Sequence, residues 1–503
     1  MNEVVNSYKL QCGYRGVDIA EDILRDRTRK FLVYGDPDID GMLSCYLATR
    51  WCCLNGIPSA YYVNENRLHG FYLDADIEGY TILAVDFGMT REELQSVVDR
   101  GANIVLLDHH AIGYNDLVVV RGTKNGVESR GVIINNQYSF ECAEHRFFSG
   151  AGVVYQVLSS IDERLVCEDN MALVGVTLLS DIREIENDIA RGILSVTYRC
   201  NTELFRGLVS KTQTQTVSYG MGYPRMDRQF IDYVFSPRFN ALFRANRGYE
   251  AIEFMLGRPL SMGLLDICKA LQDRVLGYIL ANLRLREYRS FVYGEIDDVS
   301  MGELLKRMGF NMGGFDFGSC RLDNYIGVAC SRLKGDKSAL LCVVKDGVVQ
   351  RGSFRGVLDD ANYLTAVRYL GVEADGHQVA FGVLSLDGVD LEELDELLVG
   401  LERYTGDNRG KRLVEVSNLY LFNEQGGCTK MSRYNIFVRS NMMCGIRYTG
   451  TNCECVRRGK LYEWKIDGVA VKSFSECVTP QTGVIVPMRD RDYLVLYLRE
   501  SIS

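Results

Sequence analysis

Proline and long apolar runs are both scarce in this chain. Its 503 residues include only 7 prolines, and no stretch approaches the roughly 18 consecutive apolar residues that a membrane-spanning helix needs. The first ten residues lack the apolar core of a signal peptide. Because hydrophobic residues make up 47% of the chain and are spread along it, we expect a soluble cytoplasmic protein of roughly two to four packed domains, with no membrane contact.

Paired cysteines and an excess of positive charge are absent as well. The 16 cysteines include no Cys-x-x-Cys motif, and many lie in apolar stretches, which is typical of reduced, buried thiols. A disulfide scaffold is therefore not expected. The formal net charge of −9 excludes a uniformly basic nucleic-acid coat, although it is compatible with a local basic groove.

Short apolar runs alternate with longer helical stretches over the first 190 residues, a pattern typical of a parallel sheet covered by helices. Three of these runs are Phe31–Tyr34, Ile82–Val85 and Ile104–Leu107. Aspartates follow each run: Asp36, Asp38 and Asp40 the first, Asp86 the second, and Asp108 the third. Since the carboxyl ends of parallel strands face one crevice, these carboxylates are expected to converge there.

The same crevice is expected to contain histidines and one more carboxylate. A buried helix over Leu173–Leu179 leads to Asp181, and two of only five histidines, His109 and His110, follow the third strand. Carboxylates crowded together raise one another's pKa unless cations neutralise them. Oxygen and imidazole ligands suit Mn²⁺ or Mg²⁺, and a pair of such ions supports phosphoester cleavage. The residues therefore predict metal-dependent phosphoester hydrolysis.

A plainer interpretation applies to any one of these aspartates. A lone aspartate after a strand is usually a helix cap or a turn residue. The set here combines three separate strand ends with an Asp-His-His run, which a coincidence of caps and turns explains poorly.

Asp-x-Asp-x-Asp-Gly at residues 36–41, Asp86, and Asp-His-His at residues 108–110 together resemble the DHH phosphoesterase superfamily. Its members include RecJ-type single-stranded-DNA exonucleases, oligoribonuclease/pAp phosphatases, cyclic-dinucleotide phosphodiesterases and family II pyrophosphatases. Further segments resemble the RecJ branch, in the same order along the chain. They are Tyr61–Tyr72, Ser149–Tyr155, Leu178–Asp181, Ser236–Ala241, Gly352–Arg355 and Asp375–Gly382.

The resemblance implies a role for each matching position and a cofactor of two Mn²⁺ or Mg²⁺ ions. The implied metal ligands are Asp36, Asp38, Asp40, Asp86, His109 and Asp181, and the implied catalytic residues are His110 and Asp108. The implied substrate-binding residues are Arg67, Arg238, Asn240, Arg244, Ser353, Arg355 and His377. Arginines bind phosphates without reading base sequence, which fits a non-specific nuclease. Two positions depart from the usual motifs, since Asp375 and Phe243 each replace a glycine.

The expected fold is α/β, in four parts. Residues 1–200 would form the parallel-sheet DHH domain, and residues 201–295 a RecJ-like insertion that ends in a long connecting helix over Leu264–Arg289. Residues 296–408 would form a second α/β, DHH-associated domain that binds substrate. Residues 409–503 alternate apolar and polar residues and would form a β-rich domain, OB-like by its position.

Arginines and aromatic residues alternate over residues 224–248. This pattern predicts either a track on which a single strand lies and stacks its bases, or a core helix whose arginines face solvent. The family resemblance favours the track.

We therefore expect a metal-dependent 5′→3′ exonuclease that releases mononucleotides from single-stranded DNA in repair, recombination or replication. The strand polarity and the preference for DNA are implied by the resemblance alone, as are partners such as a single-strand-binding protein or a helicase. One alternative is a short-oligonucleotide or cyclic-dinucleotide phosphodiesterase, which residues 200–300 and the β-rich tail disfavour. The other is a catalytically silent nucleic-acid-binding accessory protein, which the complete metal motifs disfavour.

Overall fold

The protein is described by a computed structural model. Its description covers residues 13–64, 70–110, 117–137, 147–181, 188–212, 226–261, 263–311, 313–358 and 361–407, and, beyond residue 407, the strands alone. Within these ranges, no helix combines the length and the apolar character needed to cross a membrane. The cysteines in the same ranges are free thiols, and most of them are buried as their placement in apolar sequence predicts, whereas Cys53 is exposed.

The first sheet has six strands in the order β2-β1-β3-β4-β6-β5. They are β1 (Lys30–Gly35), β2 (Ser59–Val63), β3 (Tyr80–Val85), β4 (Asn103–Asp108), β5 (Val118–Lys124) and β6 (Val127–Asn135). Neighbouring strands are parallel except for the antiparallel pair β5 and β6. Strands β3 and β4 are buried along nearly their whole length, as central parallel strands are. The three apolar runs thus form adjacent strands, as predicted.

Helices cover both faces of this sheet. They are α1 (Val17–Leu24), α2 (Ile39–Leu54), α3 (Arg91–Asp99), α4 (Gly150–Ile161) and α5 (Glu168–Ser180). Helices α1, α2, α4 and α5 pack into the larger core on one face, while α3 closes a smaller core on the other. Helix α5 confirms the buried helix that was expected before Asp181.

Helices continue through the middle of the chain. They are α6 (Asp188–Arg199), α7 (Glu203–Thr212), α8 (Arg228–Phe230), a π-helical turn (Ile231–Phe235), α9 (Ser236–Arg244), α10 (Gly248–Met255) and α11 (Leu264–Asn282). The predicted connecting helix over Leu264–Arg289 was too long, because α11 ends at Asn282. The backbone of Leu283 is extended, and the next residues join a sheet instead of continuing the helix.

Four phenylalanines of the 224–248 segment belong to the core, whereas Tyr233 is exposed. Phe230, Phe235, Phe239 and Phe243 are each at most 1% exposed, so they offer no faces to a nucleic acid. The predicted stacking track is therefore wrong for these four rings. The physical reason is that α9 packs against α11 within the large core, which buries the aromatic side of the helix.

The second sheet has six strands in the order β11-β12-β10-β9-β8-β7. They are β7 (Arg284–Glu287), β8 (Phe291–Asp297), β9 (Ser338–Lys345), β10 (Val348–Arg355), β11 (Glu373–His377) and β12 (Ala380–Ser385), accompanied by α12 (Met301–Met308), α13 (Ile326–Leu333), α14 (Tyr363–Tyr369) and α15 (Leu391–Asp407). Only β8 and β9 pair in parallel. The sheet begins at Arg284, so the expected boundary at residue 295 falls inside β8.

The strands beyond residue 407 form one mixed sheet in the order β13-β14-β18-β19-β17-β16-β15. They are β13 (Leu413–Val416), β14 (Gly445–Tyr448), β15 (Cys453–Arg458), β16 (Leu461–Ile466), β17 (Val469–Ser473), β18 (Gly483–Asp490) and β19 (Tyr493–Glu500). The expected β-rich region is thus present, and its OB-like identity stays a prediction.

Candidate metal centre and substrate cleft

The carboxylates of the first domain emerge side by side because three strands end at the same level. Gly35 of β1 is paired with Val85 of β3, and Val85 is paired with Leu107 of β4. The residue after each of these is an aspartate: Asp36, Asp86 and Asp108. Parallel pairing in this register therefore places three acidic residues along one edge of the sheet.

The turn between β1 and α2 brings two further carboxylates to this edge. Asp38 caps α2 by accepting a hydrogen bond from the backbone N–H of Gly41 at 2.9 Å. Asp40 lies buried in the first turn of the same helix. A Cβ at Gly41 would lie 2.2 Å from the carbonyl oxygen of Asp36, so the close approach of the turn to the helix requires glycine here.

The N-terminus of α4 holds Asp40 in place. The two oxygens of the Asp40 carboxylate accept hydrogen bonds from the backbone N–H groups of Gly150 at 2.6 Å and Ala151 at 2.9 Å. Burial, together with the nearby Asp38, nevertheless raises the pKa of Asp40 to about 6. A Cβ at Gly150 would lie 2.2 Å from Oδ1 of Asp86, so this glycine also makes room for the neighbouring carboxylate.

Asp86 combines burial with an unusual backbone conformation. Its φ of +64° is unusual for a residue other than glycine, and its backbone N–H donates to the carbonyl of Leu107 at 3.0 Å. Burial and the carboxylates around it raise the pKa of Asp86 well above its usual range. Oδ1 of Asp86 is buried and makes no hydrogen bond to the described residues, which suits an oxygen that faces a cation.

His109 lies between three of these carboxylates. Its Nε2 is 3.2 Å from Oδ1 of Asp86 and 3.7 Å from Oδ2 of Asp40, while its Nδ1 is 3.8 Å from Oδ2 of Asp181. Asp181 follows the last residue of α5. Among the described residues, two groups have ligand atoms close enough to share an ion: Asp86 with His109 and His110, and Asp40 with His109 and Asp181. The oxygen and imidazole donors fit divalent cations such as Mn²⁺ or Mg²⁺.

Asp108 contacts His110 instead of joining either group. Its carboxylate accepts from Nδ1 of His110 at 2.8 Å, from the His110 backbone N–H at 3.1 Å and from Nδ2 of Asn135 at 2.9 Å. Burial disfavours a charged imidazole, but the Asp108 carboxylate outweighs it and raises the pKa of His110 to about 10. Asp108 therefore orients the His110 ring beside the acidic cluster and, in the metal-free protein, favours its charged form.

His377 reaches the same cluster from the second sheet. Its Nε2 is 3.7 Å from Oδ1 of Asp181, and its ring is stacked on that of His110, with 5.4 Å between centroids and 16° between planes. The two sheets thus face each other across a cleft of about 270 Å³. The acidic wall of the cleft includes Asp36, Asp38, Asp86, His109, His110 and Asp181.

The opposite wall carries hydrogen-bond donors and a cation. Ser353 of β10 is buried and accepts from Nη1 of Arg355 at 2.8 Å, while Nε of Arg355 donates to Oγ of Ser331 at 3.1 Å. Burial lowers the pKa of the Arg355 guanidinium. No carboxylate among the described residues forms an ion pair with Arg355, so its charge is available to an anion in the cleft.

The other expected substrate-binding residues differ in position. Arg244 lines the cleft and donates from Nη1 to Gln272 at 2.9 Å. Arg238 forms an ion pair with Asp266, and Asn240 is half-buried on α9; neither is among the described residues that line the cleft. Arg67 lies outside the described residues, as does the side chain of Asp375.

Among the described residues, four with polar side chains line the cleft but were not among the predicted site residues: Tyr72, Arg351, Asp323 and Asn324. Arg351 lies two residues before Ser353, so the two-residue alternation of a strand would have found it. Asp323 and Asn324 lie in a short 3₁₀ helix, Leu322–Tyr325, whose sequence has no distinguishing pattern. Their place in the cleft depends on contacts with distant residues.

Residues 30–179 match the family model described as "DHH family, N-terminal domain". The comparison with curated proteins gives no match. Among solved structures, RecJ from Thermus thermophilus in complex with Mn²⁺ superposes with a TM-score of 0.62 at 16% identity, covering 100% of this chain and 73% of that chain. The same protein with Mg²⁺ gives 0.55 at 14% identity, with 98% and 70% covered.

A further solved structure, an exonuclease RecJ bound to manganese, gives a TM-score of 0.50 at 17% identity, covering 79% of this chain and 96% of that chain. At such low identity the likeness concerns the fold. The expected α/β architecture, with a parallel-sheet domain, a second domain and a C-terminal region, is thereby confirmed.

Proposed function

Because residues 30–179 match the DHH family model and the fold is similar to that of RecJ, we propose that the protein is a divalent-cation-dependent 5′→3′ exonuclease that releases mononucleotides from single-stranded DNA. One observation carries this proposal. A wall of carboxylates and imidazoles faces a wall that presents Ser353 and Arg355 across a single cleft. A phosphodiester in the cleft would meet cations on one side and hydrogen-bond donors on the other.

The acidic wall supplies the ligands. Two Mn²⁺ or Mg²⁺ ions would be held by Asp36, Asp38, Asp40, Asp86, His109 and Asp181. Such ions, when bound, generate a nucleophile from water at neutral pH and polarise the scissile phosphate. The raised pKa values of Asp40 and Asp86 support this role, because cations would relieve the repulsion that raises them.

His110 is suited to act on the phosphate or on the leaving oxygen. Asp108 fixes its ring through Nδ1 and favours its charged form. An imidazolium can donate from Nε2 to an oxygen that gains negative charge during the reaction. The stacked ring of His377 restricts the orientation of His110 further.

The wall opposite the carboxylates, formed by Ser353 and Arg355 and named the donor wall, is suited to hold a phosphate without reading the bases. Ser353 and Arg355 offer a hydroxyl and a guanidinium, both of which bind phosphate oxygens in any sequence. The cleft volume of about 270 Å³ is just below the usual range for small-ligand sites, so the cleft fits part of a single strand better than a duplex. These features support a single-stranded substrate that enters by its end.

The test uses DNA and RNA oligonucleotides labelled at either end, each with a 5′-phosphate or a 5′-hydroxyl. The reactions contain Mn²⁺ or EDTA. Dinucleotides and a cyclic dinucleotide are included as short substrates. Asp86→Ala removes a central carboxylate, and Asp387→Ala is the matched control because Asp387 is exposed in a loop of the second domain. Stepwise shortening of long DNA from the 5′ end, lost with EDTA and in Asp86→Ala alone, is the expected result.

Two outcomes would overturn the proposal in favour of its alternatives. Cleavage confined to the dinucleotide or the cyclic dinucleotide would indicate a short-substrate phosphodiesterase. Binding of single strands without cleavage by the wild-type protein would indicate a nucleic-acid-binding accessory protein. Association with a single-strand-binding protein or a helicase stays a prediction of the family resemblance.

A further inference from the structure

Strand β10 presents a row of side chains to the cleft. Arg351, Ser353 and Arg355 alternate along the strand and all line the cleft, whereas Phe354 between the last two is buried on the other face. Alternation places every second residue of a strand on the same face. The donor wall therefore extends beyond the Ser353 and Arg355 pair, as far as Arg351.

The neighbouring strand forms the floor of a groove beside this row. In the antiparallel register, Arg355 pairs with Ala380, Ser353 with Gly382 and Gly352 with Val383, and Leu384 is the next residue along β12. Ala380, Gly382 and Leu384 line the cleft. The first two side chains are small or absent and leave space beside Arg355 and Ser353, whereas Leu384 is large.

The metal centre lies at the opposite end of this groove. His377, which contacts Asp181, pairs with Ala380 of β12, at the level of Arg355. A strand rises about 3.3 Å per residue, so the backbone at Arg351 is about 13 Å from that at Arg355. Arg351 therefore lies farther along the row from the metal centre than Arg355 does.

We propose that Arg351 forms a second phosphate-binding subsite, which takes a backbone phosphate of the nucleic acid other than the one at the metal centre. This inference rests on the proposed function, since it requires a nucleotide chain in the cleft. The guanidinium supplies a charged, two-pronged donor for phosphate oxygens. Leu384, 43% exposed, supplies an apolar surface for the sugar or base beside that phosphate.

The subsite has a consequence for substrate length. A substrate with one phosphate reaches only the metal centre, whereas a longer strand also reaches Arg351. Replacing Arg351 is therefore expected to raise the KM of long substrates more than the KM of short substrates. It is also expected to lower the salt dependence of strand binding, because each phosphate that a protein neutralises adds about 0.7 to the slope of log K against log salt for a single strand.

The experiment compares wild type, Arg351→Gln, Arg351→Lys and the control Arg286→Gln. Arg286 is an exposed arginine on β7, the edge strand farthest from β12 in the same sheet. Substrates are bis-p-nitrophenyl phosphate, which has one phosphate, and 5′-phosphorylated oligothymidylates of two to eight nucleotides, with Mn²⁺. Binding of the same oligothymidylates is measured by fluorescence anisotropy in EDTA over a range of salt concentrations.

Arg351→Gln is expected to raise the ratio of oligothymidylate KM to bis-p-nitrophenyl phosphate KM by about tenfold for strands above a threshold length. It should also lower the salt slope of binding by about 0.7, whereas Arg351→Lys keeps most of that slope. Arg286→Gln should match wild type. Equal changes of KM on every substrate, or no change at any length, would overturn the subsite.

Failure of the proposed function would be recognised separately. If the wild-type protein cleaves none of these substrates but binds the longer strands, the exonuclease proposal fails, and the anisotropy data alone decide on Arg351. An unchanged salt slope in Arg351→Gln then refutes the subsite. If the wild-type protein neither cleaves nor binds them, both proposals are wrong.

Discussion

Gly150→Ala tests whether the spacing of the carboxylates at the metal centre is as tight as the structure describes. The added methyl group would lie 2.2 Å from Oδ1 and 2.6 Å from Cγ of Asp86. Because ordinary contact begins near 3.4 Å, either Asp86 or the start of α4 must move by about 1 Å. Gly150 also donates its N–H to Asp40, so the movement disturbs two carboxylates at once.

The expected effect is large on function and small on folding. A misplacement of about 1 Å at a reacting centre costs about 100-fold in rate, and a distorted pair of ligands should weaken Mn²⁺ binding at least tenfold. Alanine is favoured over glycine within a helix by about 0.5–1 kcal/mol, which offsets part of the strain. We therefore expect a melting temperature close to that of wild type without metal.

Titration calorimetry measures the affinity for Mn²⁺, and hydrolysis of bis-p-nitrophenyl phosphate measures the turnover. Thermal unfolding measures the melting temperature. Gly277→Ala in α11 is the matched control, because a Cβ there would have no atom within 4 Å. It should gain about 0.5–1 kcal/mol of stability and keep full activity. A Gly150→Ala protein with wild-type Mn²⁺ affinity and turnover would refute the argument from close packing.

Asp86→Asn is expected to raise the melting temperature of the metal-free protein at neutral pH and to abolish the increase that Mn²⁺ produces. Burial and neighbouring carboxylates raise the pKa of the Asp86 carboxyl, so its ionisation destabilises the native state as pH rises above the unfolded value of 3.8. A metal-free Asp86→Asn protein that melts at a lower temperature than wild type would contradict this. Asn324→Ala should raise the KM for oligonucleotides more than it lowers kcat, because Asn324 donates to the carbonyl of Arg244 at 2.9 Å and positions that residue in the cleft. A change in kcat alone would contradict this role of Asn324. Asp395→Asn should cost about 1–3 kcal/mol at pH 7 in urea unfolding, and the cost should fall as the pH is lowered below the unfolded value of 3.8. The hydrogen bonds from Ser290 lower the pKa of the Asp395 carboxyl although burial opposes them, so this stabilisation is lost as pH falls through the lowered pKa. A cost that does not change with pH would show that the charge is not involved.

The acidic wall of the cleft could be predicted from the sequence because its geometry follows from local patterns. Apolar runs interrupted by helical stretches specify parallel strands, and parallel strands in register end at one edge. Asp36, Asp86 and Asp108 therefore had to emerge together once β1, β3 and β4 formed. Asp181 could be added because a continuously apolar helix, α5, leads directly to it.

Residues that serve a second purpose were harder to assign. Asp108 belongs to the Asp-His-His run, yet in the structure it pairs with His110 and lies in neither of the two possible ion-binding groups. The glycine at position 150 marks a helix start in the sequence, but its need for a missing Cβ depends on Asp86 in another segment. These roles follow from distances between segments, which the order of residues does not specify.

What the sequence by itself determined is the parallel sheet, its acidic edge and the order of the segments that resemble RecJ. Only the tertiary structure decided which arginines reach the cleft, that the rings of α9 are buried, and that α11 ends at Asn282. Arginines interleaved with aromatic residues are equally compatible with a core helix and with a nucleic-acid track. The choice depends on which distant helix packs against that segment, and this packing is a long-range property that no local pattern encodes.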